Sequence, residues 1–246
     1  LKGGFMKNIS AFTLSEVLIT LGVIGIVAAM TLPSLIGRWQ EKVTVAKLEH
    51  AYSLLSQAYV KAIGEDGDAR YLNCSSADCF MKKLAKNLSV LSLNYEDTPE
   101  FSALNGDKSY NSSVKRMYRM VLENGYIIYY REGFSQTCTM TYSTWDVDEL
   151  YKTICMSLKV DINGDAKPNT FGRDIFSFYL VRDRIIPYGG VKEPYYKFNW
   201  LCNKSRPDYW DGGYNGEFCT AWVLNNKNMD YLYCNDLNWK GKTKCK

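Results

Sequence analysis

The densest group of potential metal ligands in the sequence is a short oxygen-rich segment that begins at Asp161. Asn163 and Asp165 follow it at alternate positions, and Asn169 and Asp174 come shortly after. Alternating oxygen side chains in a glycine-containing turn can converge on Ca²⁺, which takes six to eight oxygen ligands. We therefore predict a calcium site at these five residues. The alternative is a polar turn joining two strands, because Asn and Asp are also favoured by turn geometry.

This segment differs from the EF-hand, the best-known calcium loop. Ala166 and Gly172 occupy the sixth and twelfth loop positions, where the EF-hand has Gly and Glu. Any calcium site here must therefore be built in another way.

The sequence lacks the common catalytic motifs of enzymes. His50 is the only histidine, and the sequence has neither a G-x-S-x-G motif nor a glycine-rich phosphate loop. The 30 basic and 26 acidic residues give a net charge of +4, and no Lys/Arg-rich run occurs. This balance is not typical of nucleic-acid binders. We predict a protein that is not an enzyme and does not bind nucleic acid.

Eight cysteines form the second reactive group, and none lies in the first 73 residues. No C-x-x-C motif occurs, which argues against a zinc ribbon or a thioredoxin-like site. Disulfides are the expected use, and they indicate an oxidising compartment. The spacing suggests sequential pairs, although eight cysteines allow 105 connectivities. The candidates are Cys74, Cys79, Cys138, Cys155, Cys202, Cys219, Cys234 and Cys245.

The element before the cysteines is a long helix with an apolar first half. Residues 17–37 carry no charge and are bounded by Glu16 and Arg38. At ~1.5 Å per residue, this run matches the ~30 Å hydrocarbon core of a bilayer. Apolar residues then recur at three- and four-residue steps as far as Ile63, and Gly64 is a stop signal. The pattern predicts one helix over about residues 12–63, whose amphipathic second half lies on a sheet.

The remainder of the chain predicts mainly strands. Asn124-Gly125 is a strong hairpin signal, and Arg182-Asp183 separates a second pair of apolar runs. After Pro187, low periodicity predicts loops with short strands. The predicted elements are a helix at 78–88, a hairpin of 116–122 and 126–131, a strand at 154–160, and a hairpin of 175–181 and 184–187.

The residues in front of the apolar run resemble the prepilin signal of type IV pilins and type II secretion pseudopilins. Ala11-Phe12-Thr13-Leu14-Ser15-Glu16 carries this resemblance. It implies cleavage between Ala11 and Phe12 by the prepilin peptidase and N-methylation of Phe12. Glu16 then becomes the fifth residue of the mature chain and Pro33 the twenty-second, where the family has a glutamate and often a helix-kinking proline. The family usually has glycine at the position of Ala11.

The cost of placing Glu16 at the membrane gives an independent reason to expect a function. A carboxylate costs roughly 2.5–3.5 kcal/mol at the bilayer centre and less near the edge, so it needs a compensating group. The α-amino group of a neighbouring subunit's Phe12 would be a suitable partner and would set the subunit register. The alternative is that Glu16 sits in the headgroup region. Pro33 lacks a backbone donor and is expected to kink or locally melt the helix.

Other leaders fit the N-terminus less well. A secretory signal peptide has an apolar region of only ~7–15 residues, and the rival cut after Gly4 would place Ile9, not an acid, fifth. A plain single-pass anchor remains an alternative. Leu1 is an unusual first residue, and Met6 is the alternative start.

We therefore expect an α+β protein in which a long N-terminal helix packs on an antiparallel sheet, with a loop-rich, disulfide-containing C-terminal region. The expected segments are a leader at 1–11, a helix at 12–63 with its transmembrane part at 17–37, and an exported globular domain at 64–246. The D-x-N-G segment that begins at Asp161 also resembles one in some pilin-like proteins, and calcium loops occur in major pseudopilins.

The function that the resemblance implies is that of a structural subunit of a type IV pilus-like or type II secretion pseudopilus filament. Its partners would be other pilin subunits, the prepilin peptidase, the inner-membrane assembly platform and membrane lipid. The chain would sit in the cytoplasmic membrane with its leader inside and its domain exported, and would then join a periplasmic or surface filament. The rival is a membrane-anchored binding or adhesion protein that does not polymerise.

Overall fold

A computed structural model describes residues 13–64, 67–140, 148–193, 198–206 and 213–245. The fold is α+β, as predicted, and the chain divides after Glu41 into two compact units. The helices are α1 (Leu14–Ile63), α2 (Ala77–Ala85), α3 (Tyr110–Ser113), α4 (Phe198–Leu201) and α5 (Thr220–Asn226). The strands are β1 (Val90–Asp97), β2 (Arg116–Leu122), β3 (Ile127–Tyr130), β4 (Ile154–Asp161), β5 (Ile175–Val181) and β6 (Ile185–Pro187).

Helix α1 is the predicted long helix. It ends at Ile63, and the next residue, Gly64, has a φ of +62°, a backbone conformation that glycine adopts without strain. Its first part exposes large apolar side chains, among them Leu18, Ile24 and Leu35. Among the described helices, α1 is long and apolar enough to cross a membrane by length and composition.

The second part of α1 belongs to the larger unit. Its buried positions recur at three- and four-residue steps, which makes one apolar stripe. The stripe packs on one face of the sheet: the ring of Tyr52 stacks on Phe178, and the Tyr59 hydroxyl donates a hydrogen bond to the Val181 carbonyl. The predicted packing of this helix on a sheet is confirmed. Its buried residues are Val45, Leu48, Ala51, Leu55, Ala58, Tyr59 and Ile63.

The sheet has six antiparallel strands in the order β1-β2-β3-β4-β5-β6, so each strand pairs with its neighbours along the chain. Both predicted hairpins and the strand β4 are present. In the first hairpin, Gly125 has a φ of +84°, and the Asn124 carboxamide accepts a hydrogen bond from the Tyr126 N–H. Strand β1 was not predicted. The predicted helix at 78–88 is present as α2, slightly shorter.

Some residues of the C-terminal region, such as Trp222, belong to the core cluster that contains α1, whereas another part of this region covers the sheet face opposite α1. Tyr179 and Val181 of β5 form a buried cluster there with Leu201 and Phe218. After Pro187, where β6 ends, the described residues form α4, α5 and 3₁₀ turns but no strand, so the prediction of short strands in this part was wrong. The four disulfides are sequential, as the spacing suggested: Cys74–Cys79, Cys138–Cys155, Cys202–Cys219 and Cys234–Cys245.

Candidate functional site

The first candidate site is the start of α1. Ala11 and Phe12, the predicted cleavage residues, lie outside the described residues. The Thr13 N–H and hydroxyl each donate a hydrogen bond to the Glu16 carboxylate at 2.8 Å, and the Glu16 N–H lies 3.2 Å from the Thr13 hydroxyl oxygen. This reciprocal pair is a capping box, in which two otherwise unsatisfied N–H groups of the first turn are bonded. Glu16 thus has a local role in starting the helix.

The second feature of α1 is Pro33, which lies inside a helix that continues on both sides of it. The helix does not melt at Pro33, and a kink, the other expected effect, stays a prediction. The hydroxyls of Thr31 and Ser34 donate hydrogen bonds to the carbonyl oxygens of Val27 and Thr31, at 2.9 Å in both cases. Neither hydrogen bond reaches the carbonyl of Ala29, which is the one that Pro33 leaves without its helical N–H donor.

The third candidate site is the loop between β4 and β5. Asp161 ends β4, is only 1% exposed, and accepts a hydrogen bond from the Asn163 N–H at 3.0 Å. Asp174, also buried, accepts from the N–H groups of Asn169 and Thr170 at 2.8 and 2.6 Å. The Asn163 carboxamide donates to the Asp174 carboxylate at 3.1 Å. Hydrogen bonds thus join the Asp161–Asn163 and Asn169–Asp174 ends of the loop into one buried cluster.

Three oxygens of this cluster are buried without a hydrogen-bond partner among the described residues. They are Asp161 Oδ2, Asn163 Oδ1 and Asn169 Oδ1. An unsatisfied buried polar atom costs about 1–3 kcal/mol, and more when it is charged. Three such oxygens in one loop are not accounted for by a simple polar turn. They are oxygen atoms, the donor type that Ca²⁺ prefers.

The two buried carboxyl groups of the loop have raised pKa values. Burial, and to a lesser extent the charge of Asp174, raise the pKa of Asp161 to about 7. Burial also raises the pKa of Asp174, and the backbone N–H groups of Thr170 and Asn169 oppose this shift. Two buried carboxyl groups close together are each harder to ionise, and a cation between or beside them would remove that penalty.

The structure does not bring every predicted ligand into this cluster. The Asp165 side chain is 84% exposed, and its carboxylate lies 2.6 Å from the guanidinium of Arg119 on β2. Asp165 is thus held by an ion pair on the surface, whereas the other four predicted residues are linked inside the loop.

Gly164 lies against the β2–β3 turn: a Cβ at this position would come within 2.7 Å of the Gly125 carbonyl oxygen. This contact fixes the loop to the first hairpin.

Sequence reasoning missed a set of buried charged residues on the sheet face opposite α1. Lys159 of β4 pairs with Glu217 at 2.9 Å, and Glu193 accepts a hydrogen bond from the Tyr179 hydroxyl at 3.1 Å. All three charged side chains are buried. The only local signal was that Lys159 interrupts the apolar character of an otherwise buried strand. Its partners are distant in sequence, so no spacing rule could identify them.

Comparison with known families supplies independent information on the N-terminus. Residues 6–32 match the prokaryotic N-terminal methylation motif, which is the prepilin motif of type IV pilins and pseudopilins. The chain therefore carries the processing signal of a pilin- or pseudopilin-type protein, and the apolar start of α1 fits a membrane anchor. No curated protein and no solved structure shows significant similarity to the chain.

Proposed function

We propose that this chain is a structural subunit of a type IV pilus-like or type II secretion pseudopilus filament. The observation that carries the proposal is the prepilin motif at residues 6–32 on an apolar helix that continues into a sheet domain. A plain membrane anchor does not require a cleavage and methylation signal ahead of its apolar run. The sequential disulfides suit a domain exported to an oxidising compartment.

In this proposal the prepilin peptidase cuts between Ala11 and Phe12, and the inner-membrane assembly platform adds the mature subunit to others of its kind. The new α-amino group of Phe12 pairs with Glu16 of a neighbouring subunit. That contact replaces the capping hydrogen bonds of Thr13 with an ion pair, so that neither charge is left uncompensated where water is scarce. Pro33 contributes by leaving one carbonyl of α1 without its helical donor, so that the helix can adjust as subunits pack.

The charge of Glu16 can be separated from its capping role by two variants. Glu16→Gln keeps the capping box, because Gln serves equally at this position, but removes the charge. Thr13→Val removes the capping hydroxyl but keeps the charge. We expect leader cleavage in both, and loss of the Glu16→Gln protein, but not the Thr13→Val protein, from a sheared filament fraction. Equal incorporation of Glu16→Gln and the native chain would contradict the proposed ion pair.

We further propose that the β4–β5 loop binds Ca²⁺ through Asp161, Asn163, Asn169 and Asp174. The three buried oxygens without hydrogen-bond partners support this proposal. The ion would link the two ends of the loop and hold it against the first hairpin through Gly164. A ligand that binds only the folded state stabilises it by about 2.7 kcal/mol at a hundredfold excess over Kd, and by less if the site is weak.

The calcium proposal is tested by thermal unfolding of the full chain in detergent micelles, with EDTA and with millimolar calcium. We expect calcium to raise the Tm by several degrees, since about 1 kcal/mol shifts a domain of this size by roughly 2–4 °C. Asp161→Asn should abolish the rise. Asp165→Asn is the matched control and should keep it, because Asp165 is exposed and paired with Arg119. Identical Tm values in EDTA and calcium for the native chain would favour the simple polar turn.

A further inference from the structure

A cavity of about 280 Å³ lies between the sheet face opposite α1 and the C-terminal region that covers it. Strands β4 and β5 contribute Ser157, Lys159 and Tyr179 to its lining, and the C-terminal region contributes Tyr214 and Glu217. Drug-sized ligand pockets measure about 300–1,000 Å³. The cavity is therefore of a size for one small ring-shaped molecule.

One wall of the cavity is a buried ion pair. Lys159 Nζ lies 2.9 Å from Glu217 Oε1, and the Ser177 hydroxyl lies 3.3 Å from Glu217 Oε2. The Lys159 ammonium also lies 5.3 Å from the centre of the Tyr110 ring. Taking two charges out of water is costly, and an apolar pair of similar volume would often be as stable. A fixed donor and acceptor beside a cavity can instead bind the polar groups of a ligand.

Tyrosines form much of the remaining lining. The rings of Tyr179 and Tyr188 stack with centroids 3.7 Å apart, and Tyr110 meets Tyr214 edge to face at 5.3 Å. Tyrosine offers both a flat apolar face and a hydroxyl group. Such walls suit a ring that is apolar on its faces and carries hydroxyl groups at its edge, as a sugar does.

Arg131 gives the lining an excess of positive charge. It follows β3 and is exposed, and its charge lowers the pKa of the Tyr110 hydroxyl in opposition to the effect of burial, which indicates that the two groups are close. Lys159 and Glu217 cancel each other, so the described lining residues have a net charge of +1. The planar guanidinium matches the geometry of a carboxylate, with which it can form two parallel hydrogen bonds.

We propose that this cavity binds a carboxylate-bearing monosaccharide of the hexuronic acid class. Its carboxylate pairs with Arg131, its hydroxyl groups bond with Ser157 and the Lys159–Glu217 pair, and its ring packs against the tyrosine side chains. An aromatic carboxylate has no hydroxyl groups to bond with Ser157 and the Lys159–Glu217 pair. A neutral sugar has no carboxylate to pair with Arg131. The proposal stands independently of filament assembly, since every lining residue belongs to the unit that begins at Lys42.

The test is isothermal titration of the full chain, in micelles of a detergent without a sugar head group, against D-glucuronate, D-glucose and benzoate. We expect saturable binding of glucuronate at least tenfold tighter than that of glucose or benzoate. Arg131→Gln should weaken glucuronate binding at least tenfold. The control is Arg116→Gln, which removes an exposed arginine on β2 that stacks on Tyr95, and it should leave binding unchanged.

Three results would overturn the proposal. Absence of saturable glucuronate binding would assign the buried ion pair to packing alone. Glucose or benzoate binding as tightly as glucuronate would contradict the acid or the sugar part of the assignment. Equal affinity of the Arg131→Gln and Arg116→Gln proteins for glucuronate would place the binding elsewhere.

Discussion

Glu193 lies shortly after strand β6 and is 7% exposed. The Tyr179 hydroxyl lies 3.1 Å from its carboxylate. Burial raises the pKa of Glu193 to about 7, and the hydrogen bonds from Tyr179, Gly189 and Tyr151 only partly oppose this shift. The carboxyl group of Glu193 therefore stays protonated to a higher pH in the folded chain than in the unfolded one. Because its folded pKa lies above its unfolded value, its contribution to stability is complete below about pH 4.5 and is lost as the pH rises to about 7.

We predict that Glu193→Gln changes how stability depends on pH. Gln resembles the protonated acid, so the variant should match the native chain near pH 4.5 and exceed its stability at pH 8, by up to roughly 3 kcal/mol. Thermal unfolding across this pH range measures the difference. Glu132→Gln, which alters an exposed acid beside the cavity residue Arg131, should show no such trend. A Glu193→Gln protein that is no more stable than the native chain at pH 8 would contradict this assignment.

The residues of the β4–β5 loop show which site features the sequence can predict. Asp161, Asn163, Asn169 and Asp174 lie within one short segment, so their spacing alone was informative. Asp165 fits the same spacing but is turned toward Arg119, on a strand that is distant in sequence. The Lys159–Glu217 pair was missed for a related reason, since its two members meet only when the C-terminal region folds over the sheet.

At the scale of elements, the sequence predicted those with a clear period or turn signal. The apolar pattern of helix α1 matches its buried face, and both hairpins carry clear turn signals. The apolar alternation in β4 identified it as a strand, but β4 is buried on both faces rather than on one. Strand β1 is an edge strand with no buried residue. Its sequence nevertheless alternates Leu91, Leu93 and Tyr95 with polar residues, so a period-2 signal was present and was missed. Helices α4 and α5 are short and left no clear period in the sequence. They are stabilised by contacts between distant residues, namely the disulfide Cys202–Cys219 and the stacking of Phe198 on Trp222.

The second part of α1 is expected to be essential to the sheet domain. We predict that a fragment of residues 42–246 folds cooperatively without detergent, whereas a fragment of residues 64–246 does not. The shorter fragment loses Leu48, Leu55, Tyr59 and Ile63, which are all buried. At about 1.5–3 kcal/mol for each side chain, this loss is comparable with the whole stability of a typical domain, about 5–15 kcal/mol.

Urea unfolding of the two fragments, followed by near-ultraviolet circular dichroism with the disulfides intact, measures this difference. A matched control is residues 42–246 with Val60→Ser, which changes an exposed position of the same helix and should keep the native transition. A single cooperative transition of the 64–246 fragment at the midpoint of the longer one would show that α1 is dispensable for this domain.

At the scale of the whole molecule, the chain joins an apolar helical segment to a sheet domain through one continuous helix. The exposed apolar side chains of the first part are stable only in lipid or against other apolar helices. The prepilin motif lies at the same end of the chain. In our proposal the apolar segment first anchors the precursor in the membrane and then, after cleavage, packs against the helices of other subunits. The domain that follows would then be carried on the filament together with its loop and cavity.

The central claim is most directly tested by mass spectrometry of the N-terminal peptide of the protein recovered from a sheared surface or periplasmic filament fraction. Our account predicts a mature chain that begins with N-methylated Phe12 in that fraction. Glu16 would then be its fifth residue, in position to meet a neighbour's terminal amine. An intact leader on protein confined to the membrane would contradict filament assembly, and a terminus near Met30 would indicate cleavage as an ordinary secretory signal.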